Sequence, residues 1–303
     1  MNRISLLLQK ARAFFAAHKW ARIAGAILLV FLIAFIALHP HGTKTFLILG
    51  MDNYGSLDES GRSDVTMLVQ VDFTRTKISA VTFARDMFIE NENGKLTKIN
   101  TIVRNNDEQT LCDAIERNFG VEVDGWFRVN FTSVIELVDA IGGAHVELTK
   151  AEANYINKTA GRYPQYPLAE GVSHLNGAQA LTYARCRKLD NDIGRGERQS
   201  KLLAAMVDQT RRMTAANVVA VFNSLKHAWR SSLSGAEQTK LLVQALWLRG
   251  ADVARLSMPF EGYWRYGSAG SANGVVADLE ENKILLLEAL GRPQPKTTAE
   301  SAK

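Results

Sequence analysis

The sequence has few cysteines, no internal repeats and no excess of charge outside its N-terminal tail. Its 303 residues include two cysteines, so one intrachain disulfide is the most that can form. The formal net charge of +5 comes from five basic residues among the first 22; subtracting them from the total of 36 leaves 31 basic against 31 acidic residues. This balance, together with the lack of a helix-turn-helix pattern, argues against nucleic acid as a partner.

One long apolar run, residues 23–38, follows the basic tail and contains no charged side chain. Its sixteen residues fall short of the ~20 needed to cross a bilayer, but Trp20 and Ala21 extend it and Arg22 can snorkel. A basic segment before an apolar one also fits a cleaved signal peptide. We expect an uncleaved signal anchor, because no small-x-small cleavage site precedes His39. The basic tail then lies in the cytoplasm and the rest of the chain outside the cell membrane.

No break in composition divides the remaining chain, which is long enough for one large domain. We therefore divide the sequence into a cytoplasmic basic tail (1–22), a transmembrane signal anchor (23–38), a linker (39–44), one extracytoplasmic domain (45–292) and a disordered tail (293–303).

Three apolar segments at the start of this domain, residues 45–50, 65–72 and 77–83, predict successive β-strands. An acidic residue or an Arg-Asp element lies at one boundary of each strand. If the first two strands are antiparallel, all these groups meet at one edge of the sheet, where open α/β sheets bind ligands. Acidic residues at strand ends are also common in turns, so each one alone has an ordinary explanation. The residues are Asp52, Arg62, Asp64, Arg85 and Asp86.

Alternating patterns predict further helices and strands, and hence an α/β fold. Residues 150–176, with two prolines and two glycines, predict mostly irregular structure. The predicted helices are 107–118, 131–141, 178–184, 197–213, 217–225, 236–248 and 279–290, and the predicted later strands are 126–129, 145–148, 254–258 and 275–276.

Four arginines, Arg185, Arg187, Arg195 and Arg198, lie within fourteen residues. The first two are two residues apart, so an extended backbone would direct both to one side. The other two are three apart near a predicted helix start, so they share a face. A loop over residues 188–194 would let both pairs converge on a multiply charged anion such as a diphosphate. The alternative is a solvated network of ion pairs with the interleaved aspartates.

Eight motifs in order give the sequence a resemblance to the LytR-CpsA-Psr family of bacterial cell-wall proteins. They are Leu-Gly-Met-Asp at 49–52, Gly-Arg-Ser-Asp at 61–64, Arg-Asp at 85–86, Lys-Ile-Asn at 98–100, Val-Asp-Gly at 123–125, Asp-Ala-Ile-Gly-Gly at 139–143, Leu-Asn-Gly-Ala-Gln-Ala at 175–180, and the arginine stretch at 184–199. The resemblance covers residues 45–215 and extends to the last helix and strands.

This resemblance implies an α-β-α sandwich with a mixed central sheet and an apolar, lipid-accepting pocket under the arginine site. It also implies an enzyme, a phosphotransferase that moves a glycopolymer from an undecaprenyl-diphosphate carrier onto peptidoglycan, usually at a muramic acid hydroxyl. The product would be wall teichoic acid, capsule or another secondary polymer. The cofactor implied is Mg²⁺ (or Mn²⁺), and the partners are the lipid-linked glycopolymer, peptidoglycan and the membrane.

The chemistry of diphosphate transfer assigns roles to the residues of these motifs. Magnesium prefers one or two carboxylates with phosphate oxygens, so Asp52 and Asp64 are the expected metal ligands. Arginine forks neutralise the diphosphate. The expected diphosphate-binding residues are Arg62, Arg85, Lys98, Arg185, Arg187, Arg195, Arg198 and Gln199, and the expected catalytic residues are Arg85, Asp86, Arg185, Arg187 and Asp192. Asp86 and Asp192 would orient arginines, and either is a candidate general base.

The sequence departs from the family pattern at three places. Ala84 replaces the usual proline before the Arg-Asp pair, residues 101–106 replace a glycine-rich segment, and Cys186 lies between two site arginines. If Cys112 and Cys186 pair in an oxidising compartment, the disulfide would brace the site; they could equally remain apart.

Two alternative functions remain at this stage. One is a non-catalytic module that binds polyprenyl phosphate or glycopolymer, which would need the arginines without Asp52 and Asp64. The other is transcriptional regulation, which the family's historical name suggests and which the neutral, external domain argues against.

Overall fold

The computed structural model describes residues 40–58, 62–103, 107–159, 167–186, 188–190 and 192–293. The predicted basic tail, membrane anchor and most of the C-terminal tail lie outside these residues. Within the part that is described, no helix combines the length and apolarity needed to span a bilayer.

The centre of the fold is a mixed six-stranded sheet in the described chain, with strand order β10-β3-β2-β1-β6-β9. Strand β1 pairs with β2 antiparallel and with β6 parallel, and β3 pairs with β2 antiparallel and with β10 parallel. The strands in chain order are β1 Thr43–Met51, β2 Ser63–Asp72, β3 Lys77–Phe83, β4 Phe88–Glu90, β5 Leu96–Lys98, β6 Gly125–Val129, β7 Ala144–Leu148, β8 Gly171–Leu175, β9 Arg230–Ser231, β10 Asp252–Met258, β11 Trp264–Ala269 and β12 Ala272–Ala277. The predicted antiparallel arrangement of the first two strands is confirmed.

Polar N-caps start most of the helices. Asp107, predicted as a cap, accepts a hydrogen bond from the Thr110 amide, and Asn130 and Asn176 each form a capping box. The helices are α1 Ile99–Ile102, α2 Glu108–Phe119, α3 Phe131–Ala140, α4 Lys150–Thr159, α5 Gly177–Ala184, α6 Asp192–Arg212, α7 Ala215–Ser224, α8 Gly235–Ala245 and α9 Leu279–Ala289, with 3₁₀ turns at Lys226–Ala228 and Leu246–Leu248.

Side chains alternate between the two faces of the sheet along β1, and the two faces have different surroundings. Leu47, Leu49 and Met51 are buried in the main core with residues of α2 and α9. Ile48 and Gly50 point to the opposite face and line a cavity that α3, α5 and α6 enclose. The α/β fold with a mixed central sheet is therefore confirmed, and helices cover both faces of the sheet.

Several predicted elements were wrong. Residues 150–176 contain α4 and β8, although irregular structure was predicted. Thr149 and Glu152 cap each other reciprocally at the start of α4, a Thr-x-x-Glu pattern that the sequence already contained. The β4–β5 and β11–β12 hairpins were also missed, apart from residues 275–276.

The arginine stretch is more helical than predicted. Helix α6 begins at Asp192, five residues before the predicted start at Glu197, which shortens the loop expected over residues 188–194. Arg185 is the C-cap of α5 with right-handed helical backbone angles, so the extended backbone predicted there is wrong.

The disulfide hypothesis is wrong, because both cysteines are free and buried. Cys112 lies on the buried face of α2 in the main core, whereas Cys186 follows α5 beside Arg198. Burial, with smaller contributions from nearby carboxylates, raises the pKa of the Cys112 thiol to about 12.

Candidate functional site

The edge of the sheet brings together residues from three neighbouring strands. Gly50 pairs with Val65 and Met51 pairs with Ser63, so Asp64 is the extra residue of a bulge on β2, and Asp52 follows Met51 at the same end of the sheet. Strand β3 ends opposite Thr66, and two residues further on Arg85 Nη1 donates a 2.7 Å hydrogen bond to Asp64 Oδ1. The convergence predicted from the strand boundaries is confirmed for these three side chains.

Arg195 reaches the same edge from the first turn of α6. Its Nη2 donates a 2.8 Å hydrogen bond to the Asp64 carbonyl, and its Nη1 lies 4.0 Å from the Asp64 carboxylate. A 2.7 Å hydrogen bond between the hydroxyls of Thr82 and Ser200 fixes α6 against β3. Arg195 is therefore held in place by the scaffold, buried and at the mouth of the cavity.

Arg185 approaches from the end of α5 and is held more loosely. Its guanidinium lies 3.8 Å from the ring centroid of Phe131, an arrangement in which the ring face attracts the cation. Its Nη2 is 3.4 Å from Asp52 Oδ1, and its Nη1 is 3.5 Å from the Tyr54 hydroxyl. These long contacts and a 45% exposed side chain leave Arg185 able to turn its donors to an incoming anion.

Arg198 makes a different set of contacts. It is 3% exposed, and its two Nη atoms donate hydrogen bonds of 2.7 and 2.6 Å to the two carboxylate oxygens of Asp190. Its Nη2 also donates to the Cys186 carbonyl at 2.7 Å, and its Nη1 lies 3.6 Å from Glu152. Burial alone would lower the pKa of Arg198, but its bonds to Asp190 outweigh that effect and raise it. Arg198 thus binds the connection between α5 and α6.

The other predicted site residues occupy varied positions. Gln199 lines the cavity, 3.4 Å from the Ala184 carbonyl, and Arg62 is exposed beside β2. The Asp86 carboxylate has a buried oxygen without a hydrogen-bond partner among the described residues. Lys98 lies with its ammonium 5.8 Å from the Phe88 ring centroid. Arg187 lies outside the described residues, as does the side chain of Asp192, whose backbone begins α6.

Below the mouth lies a cavity of about 760 Å³, within the range of ligand pockets. Asp52, Asp64, Arg185 and Arg195 are at its polar end. Its walls are mostly apolar side chains from the sheet and from α3, α5 and α6, including Ile48, Met67, Phe127, Leu203 and Met206, with Trp229 from the residue before β9. The cavity therefore offers a charged mouth over an apolar interior.

Sequence reasoning missed the segment that supports Arg185 and Asp52. The Phe131 amide donates to the Asn53 carbonyl at 3.0 Å, and Asn130 Nδ2 donates to the Gly55 carbonyl at 2.7 Å. These bonds tie the loop after β1 to the start of α3 and set the Phe131 ring under Arg185. The cap of α3 was a recognisable signal, but its contact with a loop 75 residues away was not.

Arginines are grouped over an apolar cavity at one edge of a mixed α/β sheet, and the charge and shape of this arrangement suit an anion that carries an apolar group. The family model described as the LytR_cpsA_psr family matches residues 28–280, and the chain belongs to this family. The resemblance read from the eight motifs is thereby confirmed.

Named relatives and solved structures agree with this membership. The polyisoprenyl-teichoic acid–peptidoglycan teichoic acid transferase TagV of Bacillus subtilis is 27% identical over 60% of this chain and 46% of its own length. TagU of Bacillus licheniformis, with the same enzyme name, is 30% identical over 57% of this chain and 54% of its own. The chain thus spans about half the length of these curated relatives. The structure "TagT bound to LIIa-WTA" has a TM-score of 0.67 at 22% identity, covers 82% of this chain and 91% of its own, and shows the shared fold.

Proposed function

We propose that this protein is a phosphotransferase that moves a glycopolymer from an undecaprenyl-diphosphate carrier onto peptidoglycan. The observation that carries the proposal is the arginine-lined mouth over the apolar cavity, where Arg185 and Arg195 line the cavity and Arg85 binds Asp64 beside them. A prenyl diphosphate combines the same two parts as the site, because its compact dianionic group is followed by a long apolar chain. The names of the relatives, which are polyisoprenyl-teichoic acid–peptidoglycan transferases, support this assignment.

The proposed location is the cell membrane, with a single anchor at residues 23–38 and the catalytic domain outside. A carrier embedded in a bilayer and an acceptor in the wall both require an enzyme at the outer membrane surface. The basic tail before the apolar run favours this orientation.

The residues at the mouth fit a divalent cation such as Mg²⁺. The described residues contain no group of three or more His, Cys, Asp or Glu side chains that could form a complete protein cage. Mg²⁺ is typically bound by one or two carboxylates with substrate phosphates and water, and the carboxylates of Asp52 and Asp64 supply this donor set. A bound Mg²⁺ would neutralise charge on the diphosphate.

In the proposed reaction, the acceptor hydroxyl oxygen forms a bond to the phosphorus that carries the glycopolymer. The bridging P–O bond breaks, and undecaprenyl phosphate leaves with the electron pair. Arg85 and Arg195, fixed by their bonds to Asp64, are preorganised for charge on the phosphates. Arg185, loosely held, can follow the leaving phosphate. The hydroxyl proton passes to a carboxylate; Asp86, whose buried oxygen lacks a partner among the described residues, and Asp192 are the candidates.

The alternative proposal is a non-catalytic module that binds polyprenyl phosphate or glycopolymer during envelope assembly. Such a module would use the cavity and the arginines but would not need two carboxylates at the mouth. Asp52 and Asp64, both at the polar end of the cavity, favour the enzyme.

The experiment uses the full-length protein in nanodiscs with a synthetic undecaprenyl-diphosphate-linked donor, peptidoglycan and Mg²⁺. We expect release of undecaprenyl phosphate that depends on peptidoglycan. Arg185→Ala and Asp64→Ala should each reduce the rate by about 30- to 1000-fold, which corresponds to 2–4 kcal/mol of lost transition-state stabilisation. Arg117→Ala, an exposed position on α2, is the matched control. Donor binding without release in the wild type would favour the non-catalytic module.

A further inference from the structure

Helix α6 separates two cavities. One of its faces lines the apolar cavity, and the opposite face forms the floor of a cleft of about 380 Å³ between β7 and β10. This volume lies within the range of ligand pockets. In contrast to the apolar cavity, most residues that line the cleft are polar or charged. The charged ones are Glu147, Lys201, Asp208, Arg211, Asp252 and Arg255.

The charged groups of the cleft do not all neutralise one another. Arg211 pairs with Asp208 at 2.6 Å. The cleft residues that have no partner within ion-pair distance in the described chain are two cations and two carboxylates, namely Lys201, Arg255, Glu147 and Asp252. Lys201 is partly buried and the other three are exposed. Charges of both signs that face one cleft without pairing suit a ligand that carries both charges itself, because each charge then meets its opposite.

The two unpaired cations lie at the end of the cleft nearer the arginine mouth. The 2.7 Å hydrogen bond between Thr82 and Ser200 places the first half of α6 beside the end of β3, and Thr82 pairs with Ser257 of β10. Lys201 directly follows Ser200. Arg255 precedes Ser257 by two residues, so these two side chains project to the same face of the sheet. Both cations therefore lie near the level at which β3 ends and the mouth begins.

The carboxylate of Asp252 lies at the other end of the cleft. Asp252 is the first residue of β10, and this strand runs parallel to β3, toward the mouth. The last turn of α6 is fixed at the same end, because Arg211 donates a hydrogen bond to the Ala251 carbonyl. A strand rises about 3.3 Å per residue, so the Cα atoms of Asp252 and Arg255 are ~10 Å apart. A ligand that extends from the mouth meets the cations first and this carboxylate further on.

Glu147 lies between the two ends. Strand β7 runs antiparallel to α6, because Gln209 donates to the carbonyl of Ile141, before the strand, while Arg198 lies 3.6 Å from Glu152, after the strand. The wall formed by β7 thus places its carboxylate beyond the cations when the cleft is followed from the mouth.

We propose that this cleft binds the stem peptide of the peptidoglycan acceptor. Such a peptide is zwitterionic, and its D-glutamyl carboxylate lies nearer the muramic acid than the amine of its lysine or diaminopimelate residue. The carboxylate would bind between Lys201 and Arg255, and the amine would reach Glu147 and Asp252. The sugar would then lie at the mouth end of the cleft. This inference rests on the proposed function for its ligand, while its binding measurement does not.

The binding test uses the full-length protein in nanodiscs and a soluble muramyl tripeptide of L-alanine, D-glutamate and L-lysine with an amidated C-terminus. Two analogues each lack one charge: D-isoglutamine replaces the glutamate in one, and Nε-acetyl-lysine replaces the lysine in the other. Arg255→Gln should weaken binding of the parent peptide about 2- to 5-fold, the loss typical of one exposed ion pair, and should leave the affinity for the isoglutamine analogue unchanged.

Asp252→Asn should produce the complementary result. It should weaken binding of the parent peptide by a similar factor and leave the affinity for the acetyl-lysine analogue unchanged. Arg117→Gln, at an exposed position on α2, is the control and should change neither affinity. Equal losses for the parent peptide and for the analogue without the matching charge, unchanged affinity in both variants, or no binding by the wild type would overturn the proposal.

A kinetic test separates this proposal from the proposed function. It compares intact peptidoglycan with glycan strands from which an amidase has removed the stem peptides. Arg255→Gln should raise KM several-fold for the intact acceptor only. If the wild type transfers no glycopolymer while the binding pattern holds, the proposed function fails and the cleft assignment stands. If it transfers to both acceptors and Arg255→Gln changes neither KM, the proposed function stands and the cleft assignment fails.

Discussion

Replacing Arg198 with alanine tests whether this side chain holds the connection between α5 and α6 rather than the donor. Arg198 makes two hydrogen bonds to Asp190 and one to the Cys186 carbonyl, all of 2.6–2.7 Å. Breaking a buried ion pair costs about 3–5 kcal/mol. The Asp190 side chain is 38% exposed and can be solvated after the change, so we expect Arg198→Ala to cost about 2–3 kcal/mol of unfolding free energy.

The connection between α5 and α6 begins with Arg185. If this connection loses its order, Arg185 is displaced and catalysis should be reduced as well. We expect Arg198→Ala and Asp190→Ala each to lower kcat about 10- to 100-fold, equivalent to ~1.4–2.7 kcal/mol. Because both changes remove one interaction, the double variant should resemble either single variant. The coupling energy from urea unfolding of the four proteins should then equal the cost of one single variant, about 2–3 kcal/mol.

A direct role of Arg198 in binding the diphosphate, as the sequence predicted, gives a different pattern. Asp190→Ala would then retain the stability of the wild type, and Arg198→Ala would raise KM for the donor without reducing stability. That combination would refute the positioning role inferred from the structure.

Two further substitutions test the core and the hairpin. Between pH 8 and 10 the unfolding free energy of the wild type should fall about 1.4 kcal/mol more than that of Cys112→Ala. The Cys112 thiol of the unfolded chain ionises near its ordinary pKa of 9.0, whereas burial raises its pKa in the folded protein to about 12. The folded state therefore loses stability relative to the unfolded state as the pH rises above 9. Urea unfolding at each pH measures the difference, and parallel curves would contradict it. Gly274→Ala should cost about 1–3 kcal/mol, because its Cβ would come within 2.5 Å of the Asp86 carbonyl, whereas Gly250→Ala, with open space around it, should be neutral by the same assay.

The edge of the sheet was predictable because strand periodicity encodes it. A strand whose apolar residues alternate has one register that keeps them on the buried face. In that register the ends of β1 and β2 that carry Asp52 and Asp64 lie at the same edge of the sheet. The turn at residues 74–76 then returns β3 to the same edge and brings Arg85 to Asp64. Local patterns were sufficient for these three residues.

The role of Arg198 could not be predicted in the same way. Arg195 and Arg198 are three residues apart on α6, yet one binds Asp64 and the other binds Asp190. Which partner each arginine meets depends on where the helix starts and on Glu152 in α4, an element that was not predicted. Spacing within a helix identifies a shared face but not the groups packed against it.

The cavity has no local signature in the sequence either. Its walls come from β1, β2, β6 and several helices, and most of the lining residues have the apolar character of ordinary core residues. Whether these apolar residues pack against one another or leave an open volume is decided by the tertiary packing of the layers. Only the family resemblance implied an apolar pocket at this place.

The central claim is that the arginine mouth holds a diphosphate while the cavity beneath it holds the prenyl chain. Photolabelling of the full-length protein with a diazirine-bearing prenyl diphosphate, followed by peptide mapping, tests it most directly. The account predicts labels on cavity-lining residues such as Phe127, Leu203 and Met206, and their loss when unlabelled undecaprenyl diphosphate competes. Labels confined to other surfaces, with the cavity peptides unmodified, would contradict it.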